Sequence, residues 1–282
     1  MLVALLCAGC VAVPVQQYAL LPAAEGGVSS RNSTCGDKAA VAPDATSAPS
    51  DDATAPALDP DHVRIASWNL HKQQDRGWRE ELERLAGLSD ILLLQEAALT
   101  SELRTALDED RYTWILASAF AFDGTDYGVA IASRVRPIFF CTGRAFEPLT
   151  GIPKSFLIAR FRLAGREQAL AVATVHAINF TLDLSAYDGE LDALREALAS
   201  HRGPIALAGD FNTWSEARER RVDALALRLG LGPVSFEPDG RSRFLGRPAD
   251  WAFARGASVL GSEIHDVTAS DHNPLLVTLR IP

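Results

Sequence analysis

Ala208-Gly209-Asp210-Phe211-Asn212-Thr213 follows the short apolar run Pro204 to Leu207 and precedes a helical pattern from Ser215 to Leu229. The run reads as a buried strand, so Asp210 and Asn212 fall on a turn where a strand ends and a helix begins. Gly209 is read as the residue that lets the backbone turn there with no side chain in the way. Residues two apart in extended chain point the same way, which aims the carboxylate and the amide at one target. A carboxylate takes a proton from water, and an amide N–H donates to a growing negative charge. The same hexapeptide also reads as an Asx-type turn that starts a helix. Matching polar groups at other strand ends would separate the two readings.

Such groups recur along the chain. The alternating stretch His62 to Leu70 ends at Asn69, and the apolar run from Ile91 ends at Gln95-Glu96. A continuous run of that kind suits a strand buried on both faces. A hairpin pairs Ser155 to Leu163 with Gln168 to Ala177, and the second strand ends at His176. Ala249 to Ala254 is a strand carrying Asp250, and Ser270-Asp271-His272-Asn273-Pro274 leads into the last strand, Leu275 to Ile281. Helical spacing marks Trp78 to Leu88, Thr100 to Asp108 and Leu182 to His201, and the charges of Ser215 to Leu229 read as a solvated face. Singly, these residues read as a turn Asn, a solvent-facing Glu and a core His. Together they share one place, at or beside strand ends that a packed sheet brings to one rim. That rim offers oxygens for a hard divalent cation, amides for an oxyanion and histidines for a phosphate. Lys154 reads as a solvated surface lysine, with a phosphate contact as the alternative.

The 282 residues suffice for one large domain or two small ones, and 48% hydrophobic with 22% charged is the composition of a soluble globular protein. The net charge of −9 argues against strong non-specific binding to nucleic acid. No basic stripe with interleaved aromatics marks a nucleic-acid groove. Residues 1–21 are apolar and contain the lipobox-like Leu6-Cys7-Ala8-Gly9-Cys10, so export and a membrane tether are expected. The alternatives are a membrane span, or a start misassigned inside a longer segment, with a cytoplasmic protein as the other location. Residues 22–60, rich in Ala, Pro, Ser, Thr, Asp and Gly, read as a flexible linker, and residues 61–282 as the catalytic domain. Cys35 is expected to be free and Cys141 to be a core thiol, with no disulfide framework.

Trp68-Asn69, Gln95-Glu96, Gly128-Val129-Ala130-Ile131 with Ser133-Arg134, His176, Gly209-Asp210-Phe211-Asn212, Asp250-Trp251 and Ser270-Asp271-His272-Asn273-Pro274 occur in that order. In these motifs the chain resembles the endonuclease/exonuclease/phosphatase superfamily over residues 62–282. Lys72-Gln73-Gln74, His176-Ala177-Ile178-Asn179-Phe180 and Arg247-Pro248-Ala249-Asp250 are similar to its bacterial YafD-like branch. The resemblance implies an α/β fold, a four-layer DNase I-like sandwich of two mostly antiparallel sheets flanked by helices. It also implies a metal-dependent phosphodiesterase, acting as a monomer on nucleic acid or on a phospholipid or small phosphoester. A catalytically silent binding scaffold is the alternative of a different class.

Residue roles follow from the same resemblance. Glu96 would bind Mg²⁺ (or Mn²⁺), with Asn69 beside it and Asp271 near. Asp210 would orient or deprotonate the water, and Asn212 would hydrogen-bond the phosphate. His272, oriented by Asp271 or another rim carboxylate, and His176, held by Asp250, would contact the phosphate. A histidine at 176, where some members carry tyrosine, is the pattern of DNase I-like and sphingomyelinase-like enzymes.

Overall fold

The computed structural model describes residues 11–36, 56–181 and 183–282. The first strands are β1 (Val11–Ala12), β2 (Tyr18–Pro22), β3 (Val28–Asn32), β4 (Val63–Asn69), β5 (Ile91–Ala98), β6 (Thr113–Phe122), β7 (Thr125–Ser133), β8 (Phe139–Phe146) and β9 (Pro153–Phe161). There follow β10 (Leu170–His176), β11 (Ile205–Asp210), β12 (Gly232–Pro233), the hairpin β13 (Arg243–Phe244) and β14 (Arg247–Pro248), β15 (Asp250–Arg255), β16 (Ser258–Ile264) and β17 (Leu275–Arg280). The helices are α1 (Trp78–Leu88), α2 (Ser101–Glu109), α3 (Ser185–Ala199) and α4 (Glu216–Leu229).

Two large sheets result. The first has the order β16-β17-β4-β5-β7-β6-β2-β3, with β1 added on β6; the second has the order β12-β15-β11-β10-β9-β8. Each sheet contains one parallel pair, β4 with β5 and β10 with β11, and the other strand pairings described are antiparallel. A parallel pair needs a crossover connection, which α1 and α3 provide. The two pairs end at the same rim, where Asn69 of β4 hydrogen-bonds Asp210 of β11.

Three apolar layers hold the stack together. Val63, Ile65, Leu93 and Val129 of the first sheet meet Leu157, Val172 and Ala206 of the second. On the outer face of the first sheet, Trp68, Leu92 and Trp114 pack against Leu82 and Leu85 of α1 and Leu103 of α2. On the outer face of the second, Val175 and Leu207 pack against Leu194 of α3 and Val222 of α4. The expected four-layer DNase I-like sandwich is therefore the fold found. Just beneath the rim a polar crosslink joins the sheets: buried Gln95 of β5 donates to Thr174 Oγ1 of β10 at 2.8 Å.

The N-terminal region departs from the sequence expectation. Residues 18–36, read as the end of an apolar leader and the start of a linker, carry β2 and β3 and extend the first sheet beyond β6. Ala19 and Leu20 are buried, so part of the apolar leader is core. Cys35 and Cys141 form a disulfide, in place of one free and one core thiol. Composition concealed this because the stabilising contacts are supplied by β6 and β8, remote in sequence. Residues 1–10, with the lipobox-like Cys7 and Cys10, and residues 37–55 of the expected linker lie outside the described residues. No helix among the described residues is long and apolar enough to cross a membrane.

A chain begun at Asp61 should lose stability accordingly. It lacks the disulfide and three strands, and a disulfide alone contributes about 2–4 kcal/mol. Thermal unfolding of the truncated and full chains, with and without reductant, checks this. The expected result is a lower Tm for the truncated chain and a reductant-sensitive Tm only for the full one.

Candidate active site

Gly209 lies within β11 rather than at a turn. A Cβ there would come within 2.2 Å of the Val175 carbonyl oxygen of β10, so its role is to let two strands approach closely beneath the site. Beyond Asp210 the chain turns at Asn212, whose φ of 50° is in the left-handed region. Glu96 has φ 48° at a register shift between β5 and β7, so a bulge swings its carboxylate off the strand. Non-glycine residues held in this region concentrate at functional sites.

Asp210 is at the centre. Its Oδ2 accepts from Asn69 Nδ2 at 3.0 Å, and its Oδ1 accepts from the Asn212 backbone N–H at 2.9 Å. His176 Nε2 is 3.5 Å and His272 Nε2 is 3.9 Å from Asp210 Oδ2. Glu96 Oε1 is 3.7 Å from His176 Nε2. Residues from both sheets thus converge on one carboxylate. Asn212 spends one N–H of its side chain on the Ala177 carbonyl at 2.8 Å, which ties the β11 loop to the β10 loop.

The two histidines differ sharply. His272 Nδ1 is 2.7 Å from Asp250 Oδ2, and it is this rim carboxylate that orients it. Burial pushes the His272 imidazolium down, but Asp250, Asp210 and Asp271 outweigh burial and hold its pKa up to about 10. His176 has no such partner. Burial, with the Lys154 ammonium beside it, lowers its pKa to about 4, so it is neutral near pH 7. Lys154 Nζ lies 3.0 Å from His176 Nε2 and donates to it, which leaves the ring proton on Nδ1. Two sequence expectations are corrected here. Asp250 holds His272 rather than His176, because β15 presents it toward the β17 side of the rim. Lys154 is a site residue rather than a solvated lysine.

Lys72 Nζ is 2.5 Å from Glu96 Oε2. Burial pushes the Glu96 carboxyl up, but His176, Lys72 and Lys154 pull it down further, to about 2. With His176 neutral near pH 7, the two lysines carry the positive charge that faces Glu96. Asp210 moves the other way: burial raises its pKa against the pull of His272 and His176. Lys72, Glu96, Lys154 and His176 line one cleft with Phe120 and Tyr127, whose rings stack at 5.2 Å.

The chain matches the Endonuclease/Exonuclease/phosphatase family over residues 66–272. It belongs to that family. A UPF0294 protein of Vibrio parahaemolyticus is 38% identical over 229 residues, covering 80% of this chain and 81% of the relative. UPF0294 proteins are the YafD-like branch. An endonuclease/exonuclease/phosphatase family protein of Bacteroides thetaiotaomicron has a similar fold, with TM-score 0.63, 19% identity, and 80% of this chain and 100% of that one covered. The human Nocturnin catalytic domain with bound sulfate is similar too, with TM-score 0.61, 19% identity, and 79% and 96% covered. Membership makes the chain a hydrolase of phosphoesters, in a family whose members are typically metal-dependent.

Within this family's site, Asp271 is the residue that the structure sets apart. Its side chain is 60% exposed, with Oδ1 3.8 Å from His71 Nδ1. It follows Ser270, whose hydroxyl donates to the Asn69 carbonyl, so the loop turns its carboxylate outward. Among the described residues no group of three or more His, Cys, Asp and Glu side chains forms a metal cage.

Arg218 is the supporting residue that sequence reading missed. It is fully buried, donating to the carbonyls of Ile178 at 2.6 Å, Asn179 at 2.7 Å and Asn212 at 3.2 Å. It thereby clamps the loops that follow His176 and Asp210. The signal was present: Arg218 shares the buried stripe of Val222, Leu225 and Leu229 on an otherwise charged helix.

Proposed function

We propose that this chain is a phosphodiesterase that uses Mg²⁺, or Mn²⁺ in its place. The observation that carries the reading is the approach of a buried Asp210 to the Asp250-held His272, and to His176 of the cleft that Glu96 and two lysines line. Asp210 accepts the proton of a water molecule, and its raised pKa suits a base. The water oxygen bonds to phosphorus as the ester P–O bond breaks. The His272 imidazolium donates to the phosphoryl or leaving oxygen, and Lys154 and Lys72 neutralise phosphate charge. His176, neutral, positions the Lys154 ammonium.

The donor chemistry fits a hard cation. Glu96 Oε2 is a buried anionic oxygen held by the Lys72 ammonium, with capacity left to ligate a cation. Mg²⁺ is commonly held by one or two carboxylates with substrate phosphate completing the shell, so a cage of three acids is not required. Glu96 would hold it, with Asn69 alongside. When bound, such an ion polarises the phosphoryl oxygen as a Lewis acid. EDTA should abolish hydrolysis of bis(4-nitrophenyl) phosphate, and Mg²⁺ should restore it. Full activity in EDTA would remove the metal from the mechanism.

We also propose an exported, membrane-tethered protein. The Cys35–Cys141 disulfide supports this, because disulfides persist in oxidising compartments. Fractionation of cells under non-reducing conditions tests it: an oxidised, membrane-associated chain is expected, and a reduced chain in the cytosol would contradict it.

A further inference from the structure

The strand registers define which side chains surround the cleft. Phe122 ends β6 opposite Thr125, and Phe146 ends β8 opposite Pro153, both at the end of the sandwich that carries Glu96 and His176. Phe180 lies four residues past His176. Phe244 and Leu245 tip the β13–β14 hairpin, which leads directly into Asp250. The same segment is tied to the His272 loop, since the Asn273 N–H donates to Ser242 Oγ at 2.8 Å. These four are the phenylalanines exposed among the described residues, from 40% for Phe122 to 59% for Phe244, and Leu149 and Leu245 beside them are 54% and 73% exposed. Aromatic rings left in water around a polar cleft mark a surface that is apolar on one side and wet on the other.

We infer that this aromatic rim docks on a lipid bilayer and presents a lipid phosphodiester to the cleft, an inference that rests on the phosphodiesterase reading. Three further observations choose this occupant. The net charge of −9 opposes a polyanion, whereas a zwitterionic bilayer presents no such barrier. Lys72 and Lys154 both line the cleft, so two ammoniums meet where one phosphate would enter. Val11, which follows the apolar sequence Met1 to Cys10, pairs with Phe122 at this same rim. The acyl part of the lipid stays in the bilayer against the rim while its phosphate reaches Asp210 and His272. Water then adds to phosphorus, one P–O ester bond breaks, and a phosphomonoester and an alcohol leave.

The test uses the full chain, its Phe146→Ser/Phe180→Ser/Phe244→Ser variant and the corresponding triple Phe→Trp variant, with circular dichroism to confirm folding. Partition is measured onto vesicles of phosphatidylcholine and phosphatidylethanolamine, and hydrolysis on those vesicles and on soluble bis(4-nitrophenyl) phosphate with Mg²⁺. The serine variant should lose partition and vesicle-lipid hydrolysis by about 10³-fold or more, given the transfer free energy of three phenyl rings. Its hydrolysis of the soluble diester should stay within about twofold of the parent, since none of the three rings is in the cleft. The tryptophan variant should keep both vesicle readouts. Equal partition and lipid hydrolysis by the serine variant and the parent would overturn the docking surface. So would a parent that cleaves the soluble diester but not vesicle lipid. A parent inactive on the soluble diester would instead overturn the phosphodiesterase reading, and partition would still report on the rim.

Discussion

Asp210→Asn should lower kcat for bis(4-nitrophenyl) phosphate by roughly 10³-fold, within the range for loss of a positioned general base. An amide cannot take the water's proton. The substitution also breaks a pairing, because both Asp210 oxygens accept hydrogen bonds, from Asn69 Nδ2 and from the Asn212 N–H. An asparagine supplies one acceptor where two are used, and turns an NH₂ toward a donor. A modest destabilisation of about 1–3 kcal/mol should therefore accompany the loss of rate. Steady-state kinetics with thermal unfolding separates the two effects. KM should change little, since on the proposed mechanism Asp210 acts on the water and the Lys72 and Lys154 ammoniums would hold the phosphate. A fall in KM-dependent binding with kcat intact would reassign Asp210 to substrate binding.

Asp250→Asn should move the alkaline limb of the pH–rate profile. In the parent, burial opposes the His272 imidazolium, but Asp250, 2.7 Å from Nδ1, holds its pKa up to about 10, above its usual 6.5. The imidazolium thus persists across the neutral range, and activity should fall only as pH approaches 10. Without the Asp250 charge the limb should shift down toward 6.5, leaving a variant that is much less active at pH 8 than at pH 6. His272→Ala should cost on the order of 10²-fold or more at neutral pH and remove the limb. Stability follows the same proton. A folded-state pKa raised above the unfolded value stabilises fully below about 6.5, and that contribution is lost as pH rises through about 10. The parent's Tm should decline over that window, and the Asp250→Asn variant should decline less. An alkaline limb unchanged in Asp250→Asn would show that another group sets it.

The fold was legible because its strands announce themselves in local sequence. Ile91 to Leu94 is an unbroken apolar run and proves to be a central strand, while Trp78 to Leu88 has helical spacing and is α1. Asn69, Glu96, His176, Asp210 and His272 were recognisable because each stands at a strand end or loop, and parallel strand pairs bring such ends together. Partner choice was not legible. Nothing near Asp250 in sequence says that it faces His272 rather than His176; strand order decides that. Lys154 looked like a surface lysine because its neighbours Pro153 and Ser155 say nothing of the histidine across the ladder, yet Ser155 pairs with His176. Cys35 and Cys141 are 106 residues apart, and only the addition of β2 and β3 to the first sheet brings that part of the chain back over the second. Asp271 stands in the motif, but its exposure at the surface was likewise not legible in the sequence.

The central claim is that the two parallel strand pairs, one from each sheet, build a single hydrolytic site. A double-mutant cycle of Glu96→Gln and Asp210→Asn tests it most directly, because each residue belongs to a different sheet. Hydrolysis of bis(4-nitrophenyl) phosphate at saturating Mg²⁺ is measured for the parent, both single variants and the double. Groups that act as one unit are strongly non-additive. Each single variant should lose activity severely, and the double should be within about threefold of the weaker single. Multiplying losses, or a single variant as active as the parent, would mean that the two sheets do not share one site.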